Sequence, residues 1–314
     1  MIKEALLNYS FTAPKAVLIR HNENMTYEIT DGQNRYLLRI HKPADGLDFS
    51  FQCGNIPKKI YIESEIELLL KLGANSDILL QRPVKNKHGL YITSLSSGEY
   101  ATVLLWVEGE VMTNIGISNN VAYEIGKRIA RLHNQLKELP HMNRYSYDET
   151  MISRVLNEIT LAYNLRHLGE QHYQCISTYL LNLSGFLKEH KKDFILVHAD
   201  VSKSNLLYYS NQIIPIDFSL SGYSLPEMDL ADISCSLNDI TLTPHIIKGY
   251  QSIGTYSPNE SYVDLYSALS IILYIAYHHS QFHDDEKSQK SLDRWTQTII
   301  KPALSILLNL MITY

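Results

Sequence analysis

The hydrophobic pattern changes from mainly strand to mostly helix near Val107-Glu108-Gly109, and that change demands two regions of different construction. Before it, β-prone runs at Met25–Thr30 and Tyr36–Ile40 flank Asp31-Gly32-Gln33-Asn34, whose Gly and Asn suit a tight turn. Ile62, Ile66, Leu69 and Leu70 then fall at helical spacing, with Gly73 as the expected stop. Strand-like runs follow at Leu90–Thr93 and Tyr100–Trp106. After the change, Val121, Ile125, Ile129, Leu132 and Leu136 recur every three or four positions, which predicts an amphipathic helix over Asn119–Glu138. More helix is expected at Glu149–Leu168, Tyr173–Glu189 and Ser261–Tyr314. Short strands return only between Phe194 and Phe218: FILV, then LLYY, a turn at Ser210-Asn211-Gln212, and IIPIDF. The expectation is an α+β chain, with a strand-rich lobe over residues 1–105 and a helical lobe over 106–314. Ligands commonly bind between lobes of that kind.

Composition narrows the function classes. Of 314 residues, 45% are hydrophobic and 19% charged, enough apolar content to exclude a disordered chain. The net charge of −5 argues against a nucleic-acid partner, whose phosphates reward a basic face. Cys53, Cys175 and Cys235 lie far apart and are odd in number, so neither a disulfide framework nor a structural zinc site is expected. The most apolar stretch, Leu265–Tyr277, is about half the ~20 residues a membrane span needs. The opening MIKEALLNYSFTAPK carries Glu4 in a short apolar stretch and has no signal-peptide core. A cytoplasmic protein with no membrane partner is the expectation.

The stretch that carries chemistry is Val197-His198-Ala199-Asp200-Val201-Ser202-Lys203-Ser204-Asn205, followed twelve residues later by Ile216-Asp217-Phe218. Taken singly, an Asp or Asn in a turn is ordinary turn chemistry. The spacing is what counts: Asp200 and Asn205 share one loop between two strands, and Asp217 ends the hairpin that follows. All three can converge at one end of a strand pair. Asn205 and Asp217 offer the hard oxygens that Mg²⁺ prefers, with nucleotide phosphates and water filling its other positions. Asp200 is then available to orient a hydroxyl and accept its proton. Protein kinases divide the labour in this way, with H-x-D-x-x-x-x-N before a metal-binding Asp.

Here the residue between His and Asp is Ala199, and the whole resembles the loop of the aminoglycoside phosphotransferase and choline-kinase-like kinases, HGD-x-x-x-x-N followed by IDF or IDW. The resemblance implies a two-lobed protein-kinase-like fold that transfers the γ-phosphate of ATP or GTP to a hydroxyl of a small molecule with Mg²⁺. It extends over most of the chain. Tyr36–Pro43 is similar to the strand bearing the phosphate-binding cation, which makes Arg39 the clamp and Glu65, on the apolar face of its helix, the natural partner. Leu104–Gly109 looks like the segment whose backbone meets the purine, so Leu105 and Val107 are implied nucleotide contacts, together with Ile216. Leu132-His133 resembles the LH of the first long helix of the larger lobe, and Asp229-Leu230-Ala231 the DLA after the metal Asp. His133 is expected in the core, His198 as a buried loop support, and Asp229 as an acceptor for loop N–H groups.

Residues 20–28 contain no glycine, so no Gly-rich phosphate loop is present. That weighs against a protein Ser/Thr kinase, as does the absence of a recognisable activation segment between Asp217 and Asp229. The other rival, a non-catalytic nucleotide-binding protein, is disfavoured by the intact Asp200, Asn205 and Asp217. Lys203 is expected to face solvent, and Asp284-Asp285-Glu286 to form a solvated loop. The acceptor expected is small, hydroxylated and cationic, on the strength of the negative net charge and of Glu227, Asp229 and Asp232 after the metal Asp.

Overall fold

Helix α1 (Ile2–Leu7) precedes an antiparallel sheet built from β1 (Lys15–His21), β2 (Met25–Asp31), β3 (Asn34–Ile40), β4 (Pro83–Val84), β5 (Ile92–Ser94) and β6 (Tyr100–Leu105). Helix α2 (Lys58–Asn75) lies between β3 and β4 in the chain. The computed structural model describes residues 1–44, 51, 54, 56–75, 79–253, 255–282 and 285–312. It divides into two compact units. The first comprises Met1–Phe49, Asn55–Gly109 and Leu139–Asn143.

In that unit the strand order is β1-β2-β3-β6-β4, with β5 also paired to β6. The Asp31–Asn34 turn sets the β2–β3 register, Asp31 opposite Asn34 and Tyr27 opposite Leu38. Alternation along β3 sends Leu38 and Ile40 into a core with Ala5, Tyr9, Ile29 and Val103, and sends Arg39 to the other face. Ile62, Ile66 and Leu69 of α2 are buried as their spacing predicts, whereas Leu70 is exposed. Gly73 does not stop α2, which runs on to Asn75 with Leu72 buried in its last turns. One internal glycine costs only about 1 kcal/mol against alanine, less than burying a leucine contributes. Neither α1 nor β1 is anticipated by the sequence reading, and the strand expected from Leu90 begins at Ile92.

The second unit comprises Ser50–Gly54, Glu110–Glu138 and Arg144–Tyr314. Its elements are β7 (Glu110–Val111), α3 (Asn119–Lys137), β8 (Tyr145–Ser146), α4 (Glu149–Asn164), α5 (Glu170–His190), β9 (Ile195–Val197), β10 (Leu206–Tyr209), β11 (Gln212–Pro215), β12 (Gly222–Ser224), α6 (Glu227–Leu237), α7 (Thr243–Gln251), α8 (Glu260–His278), α9 (Glu286–Trp295) and α10 (Lys301–Ile312). Ser118 caps α3 by accepting the Val121 N–H, and Asp148 caps α4 by accepting that of Thr150. Two small sheets, β11-β10-β7 and β8-β12-β9, lie among the helices. Helices α3 and α7 cross at their backbones. A Cβ on Gly126 would sit 1.9 Å from the Ile246 carbonyl oxygen, and one on Gly249 would sit 1.9 Å from that of Tyr123.

Helices α6 and α7 fill a stretch that the sequence reading left without elements. The C-terminal region is helical as expected and comprises α8, α9 and α10, with a 3₁₀ turn at His279–Phe282 and a π-helical turn at Thr296–Ile300. Asp285 and Glu286 do not form a solvated loop: Asp285 caps α9 by accepting the Ser288 N–H, and Glu286 is its first residue. Asp284 and Cys53 lie outside the described residues; Cys175 and Cys235 are free thiols. Among the described residues no helix is long and apolar enough to cross a membrane.

Candidate active site

The loop after β9 is hung from α6. Asp229 accepts the His198 N–H on Oδ2 at 2.9 Å and the Ala199 N–H on Oδ1 at 2.7 Å. Asp229 is fully buried, and burial alone would push its carboxyl up. The hydrogen bond from His133, at 2.8 Å, and the nearby imidazoles hold it below the usual range instead. His133 itself is braced by the Tyr250 hydroxyl at 2.9 Å. Two turns along α6, Ser236 accepts the Lys203 N–H at 2.8 Å, so one helix face grips both ends of the loop. Lys203 is half-buried rather than solvent-facing.

His198 is fully buried against Phe218 and donates from Nε2 to the Ile216 carbonyl at 3.1 Å. That bond fixes the neutral tautomer, and burial pushes its pKa down. It supports the loop and is not available as an acid. Ala199 takes a left-handed φ of +61°, where a glycine would be unstrained.

The same loop turns through Lys203–Asn205 into the β10–β11 hairpin. Asn205 is the joint. Its Nδ2 donates to Asp200 Oδ2 at 2.6 Å and to Asp200 O at 3.1 Å, and its carbonyl accepts the Ile216 N–H at 3.0 Å. One residue later Asp217, buried, adopts φ +66° just beyond β11. Asp200, Asn205 and Asp217 are therefore brought together in the second unit, with Ile216 tying them. Because both amide hydrogens of Asn205 serve Asp200, the amide orientation is fixed. Its Oδ1 is buried without a hydrogen bond, and Asp217 Oδ1 is buried as well. A buried, unspent acceptor is costly unless something else fills it. A hard oxygen pair of this kind fits Mg²⁺. Among the described residues no group of three His, Cys, Asp or Glu could hold a metal, so such an ion would lean on ligand oxygens for its other positions.

Arg39 and Glu65 meet in the first unit. Arg39 Nη1 lies 2.7 Å from Glu65 Oε1, and both side chains are 3% exposed, so this is a buried ion pair and not a surface one. Leu105 is exposed and its N–H donates to the Arg82 carbonyl at 2.8 Å, while Val107 is buried. The segment between them is braced by Arg35, whose guanidinium lies 4.3 Å over the Trp106 ring and 2.9 Å from Glu108.

The acidic residues expected to attract a cationic acceptor are mostly spent. Glu227 is buried and accepts from Tyr256 and from the Asn259 N–H, and Asp229 holds the loop. Only Asp232 remains. It keeps partial exposure, bonds Ser270 of α8, and shares the α6 face of Asp229 and Ser236. Desolvation, with Asp229 nearby, pushes its pKa up to about 8. Ser236 and Tyr250 escaped the sequence reading. Seven-residue spacing from Asp229 could have found Ser236; nothing local marks Tyr250.

The sequence model described as "phosphotransferase enzyme family" matches residues 16–260. Among curated proteins none matches the chain. Solved structures do. A microcompartment-associated aminopropanol kinase superposes with a TM-score of 0.75 at 19% identity, covering 99% of this chain and 97% of its own. An amicoumacin kinase in complex with AMP-PNP, Ca²⁺ and Ami gives 0.74 at 18% identity, covering 96% and 92%. The GDP and kanamycin complex of an aminoglycoside 2″-phosphotransferase gives 0.63 at 15%, covering 93% and 97%. At these identities the likeness is one of fold, the protein-kinase-like one.

Proposed function

The chain belongs to the phosphotransferase enzyme family, and from that premise we propose that it is a Mg²⁺-dependent kinase moving the γ-phosphate of ATP or GTP to a hydroxyl of a small molecule in the cytoplasm. The observation that carries this reading is the Asn205 joint, which spends its amide hydrogens on Asp200 and keeps Oδ1 buried and unbonded near the Asp217 turn. Asp200 orients the acceptor hydroxyl and takes its proton. Asn205 and Asp217 hold Mg²⁺, which when bound neutralises charge on the transferring phosphate. Arg39, aligned by Glu65, clamps the donor phosphates from the first unit, the nucleotide-binding lobe in this reading. With the Leu105 N–H committed, a purine would meet its carbonyl and the Val107 backbone, with Ile216 as a further contact. Catalysis is then mostly positioning and charge stabilisation, because phosphoryl transfer leaves the protein little covalent work.

The acceptor is small and hydroxylated, and the net charge of −5 favours a cationic one, Asp232 being largely protonated at neutral pH. Aminopropanol, named for one relative, has that chemistry. The test is a phosphate-transfer screen with ATP and GTP, with and without Mg²⁺, against aminoglycosides, choline, homoserine, methylthioribose and peptides. Asp200→Asn should fold, bind nucleotide as wild type does, and lose at least about 10²-fold in transfer. Undiminished transfer by that variant would move the chemistry off this loop.

A further inference from the structure

The turn that follows Asp217 is gripped by side chains that the reaction above does not use. Arg144, 8% exposed, points its guanidinium at three successive-turn carbonyls: Nε donates to Ser221 O at 2.8 Å, and Nη2 to Phe218 O at 3.0 Å and Ser219 O at 2.6 Å. The remaining carbonyl, that of Leu220, accepts from the Tyr147 hydroxyl. Every backbone acceptor of residues 218–221 is thus taken by one arginine or one tyrosine. Both come from a short stretch whose backbone is itself fixed, since β8 pairs in parallel with β12, Tyr145 opposite Gly222.

The grip sits where local conformation needs help. Asp217 has a left-handed φ of +66°, uncommon for a residue with a side chain and worth on the order of 1–2 kcal/mol of strain. Such a conformation persists only when its surroundings over-determine it. On its N-terminal side the Asn205–Ile216 and His198–Ile216 bonds hold the chain. On its C-terminal side Arg144 and Tyr147 hold the turn from outside, and the Ser221 N–H and hydroxyl close it from within on the Phe218 carbonyl. A planar fork with several donors can serve three carbonyls at once, which a lysine's single ammonium cannot do in the same geometry.

We propose that Arg144 is a positioning residue for the metal site: with the Tyr147 hydroxyl it locks the 218–221 turn and so fixes the direction in which Asp217 presents its carboxylate to a divalent cation. This rests on Asp217 being a metal ligand, as read above. Groups that orient a ligand from outside commonly change metal affinity by about 10- to 100-fold when removed.

The experiment uses the full chain with AMP-PNP and reads Mn²⁺ binding directly by electron paramagnetic resonance, alongside thermal melting and metal-free nucleotide binding. Asp217→Asn serves as the reference. Arg144→Met should weaken Mn²⁺ by about tenfold or more, with metal-free nucleotide affinity near wild type. Arg144→Lys and Tyr147→Phe, milder changes that keep the fold if Arg144→Met does not, should each weaken Mn²⁺ by about threefold or more. Wild-type Mn²⁺ affinity in these variants, whatever their melting temperatures, would mean that Arg144 only holds the fold, and overturns the proposal. If Asp217→Asn itself leaves Mn²⁺ binding intact, the metal assignment fails first, and the role of Arg144 falls with it.

Discussion

The Arg39–Glu65 pair of the first unit and the Asp200–Asn205–Asp217 cluster of the second treat polar groups in opposite ways. In the first, Arg39 and Glu65 meet at 2.7 Å with almost no solvent contact, a cation matched to an anion inside one unit. In the second, Asp200, Asn205 and Asp217 gather oxygen acceptors: one amide oxygen stays unbonded, and the two Asn205 hydrogens are spent in orienting Asp200. A matched pair is a positioning device that is complete when the chain folds. An excess of acceptors is chemistry left open for a ligand to finish.

The strongest way to break the contrast is to take one acceptor away. Asp217→Asn keeps the volume and removes the charge, so phosphate transfer should fall on the order of 10³-fold, and Mg²⁺ should no longer tighten nucleotide binding in calorimetry. Equal affinity in Mg²⁺ and in EDTA for the wild type would collapse the distinction between the units.

Next in size is the ion pair. Glu65→Ala leaves the Arg39 guanidinium buried without its carboxylate and should cost about 3–5 kcal/mol by chemical denaturation. Replacing both, Arg39→Met with Glu65→Leu, should recover most of that stability while nucleotide KM rises and kcat falls. Full activity in the stable double variant would reduce the pair to packing.

The smallest effect concerns Asp232, a carboxyl of the second unit whose proton burial and the nearby Asp229 retain. Its folded pKa near 8 lies above the unfolded value, so the folded state holds a proton that the unfolded chain releases. Wild-type stability should therefore drop as pH rises between about 4 and 8, and Asp232→Asn should lack that slope. Melting curves from pH 5 to 9 should show the variant gaining on wild type by at least about 1 kcal/mol. Parallel profiles would argue that solvent screens Asp232 after all.

What could be read in the sequence is what lies close together in it. Asp200, Asn205 and Asp217 are a loop and a hairpin apart, and the turn residues between them mark the hairpin. Glu65 was legible because it sits on the apolar face of a helix, where a charge needs a partner, and Arg39 was legible through the resemblance of Tyr36–Pro43 to the family's cation-bearing strand. Arg144 was not legible. The carbonyls it binds are more than seventy positions away, it stands just before a two-residue strand with no period to detect, and no residue type announces a backbone carbonyl as a partner. Asp229 accepts the loop N–H groups as expected, but counting it with Glu227 as an attractor of a cationic acceptor fails for a related reason. An acidic cluster in sequence says nothing about which members point inward, and α6 turns both into the interior.

The crossing of α3 and α7 bears on how this protein can evolve. His133 and Tyr250, which steady Asp229 and through it the loop after β9, stand on those two helices. At the crossing each glycine faces a carbonyl of the other helix, so an alanine at either position collides with main chain. Ordinary core clashes have genetic suppressors, because a neighbouring side chain can shrink. Main chain cannot. A lineage that acquired alanine at Gly126 could not be rescued by any change at residue 246 short of moving the helix, and movement there would loosen the support of the loop. Selection for new acceptors should therefore accumulate changes elsewhere and leave these two positions still.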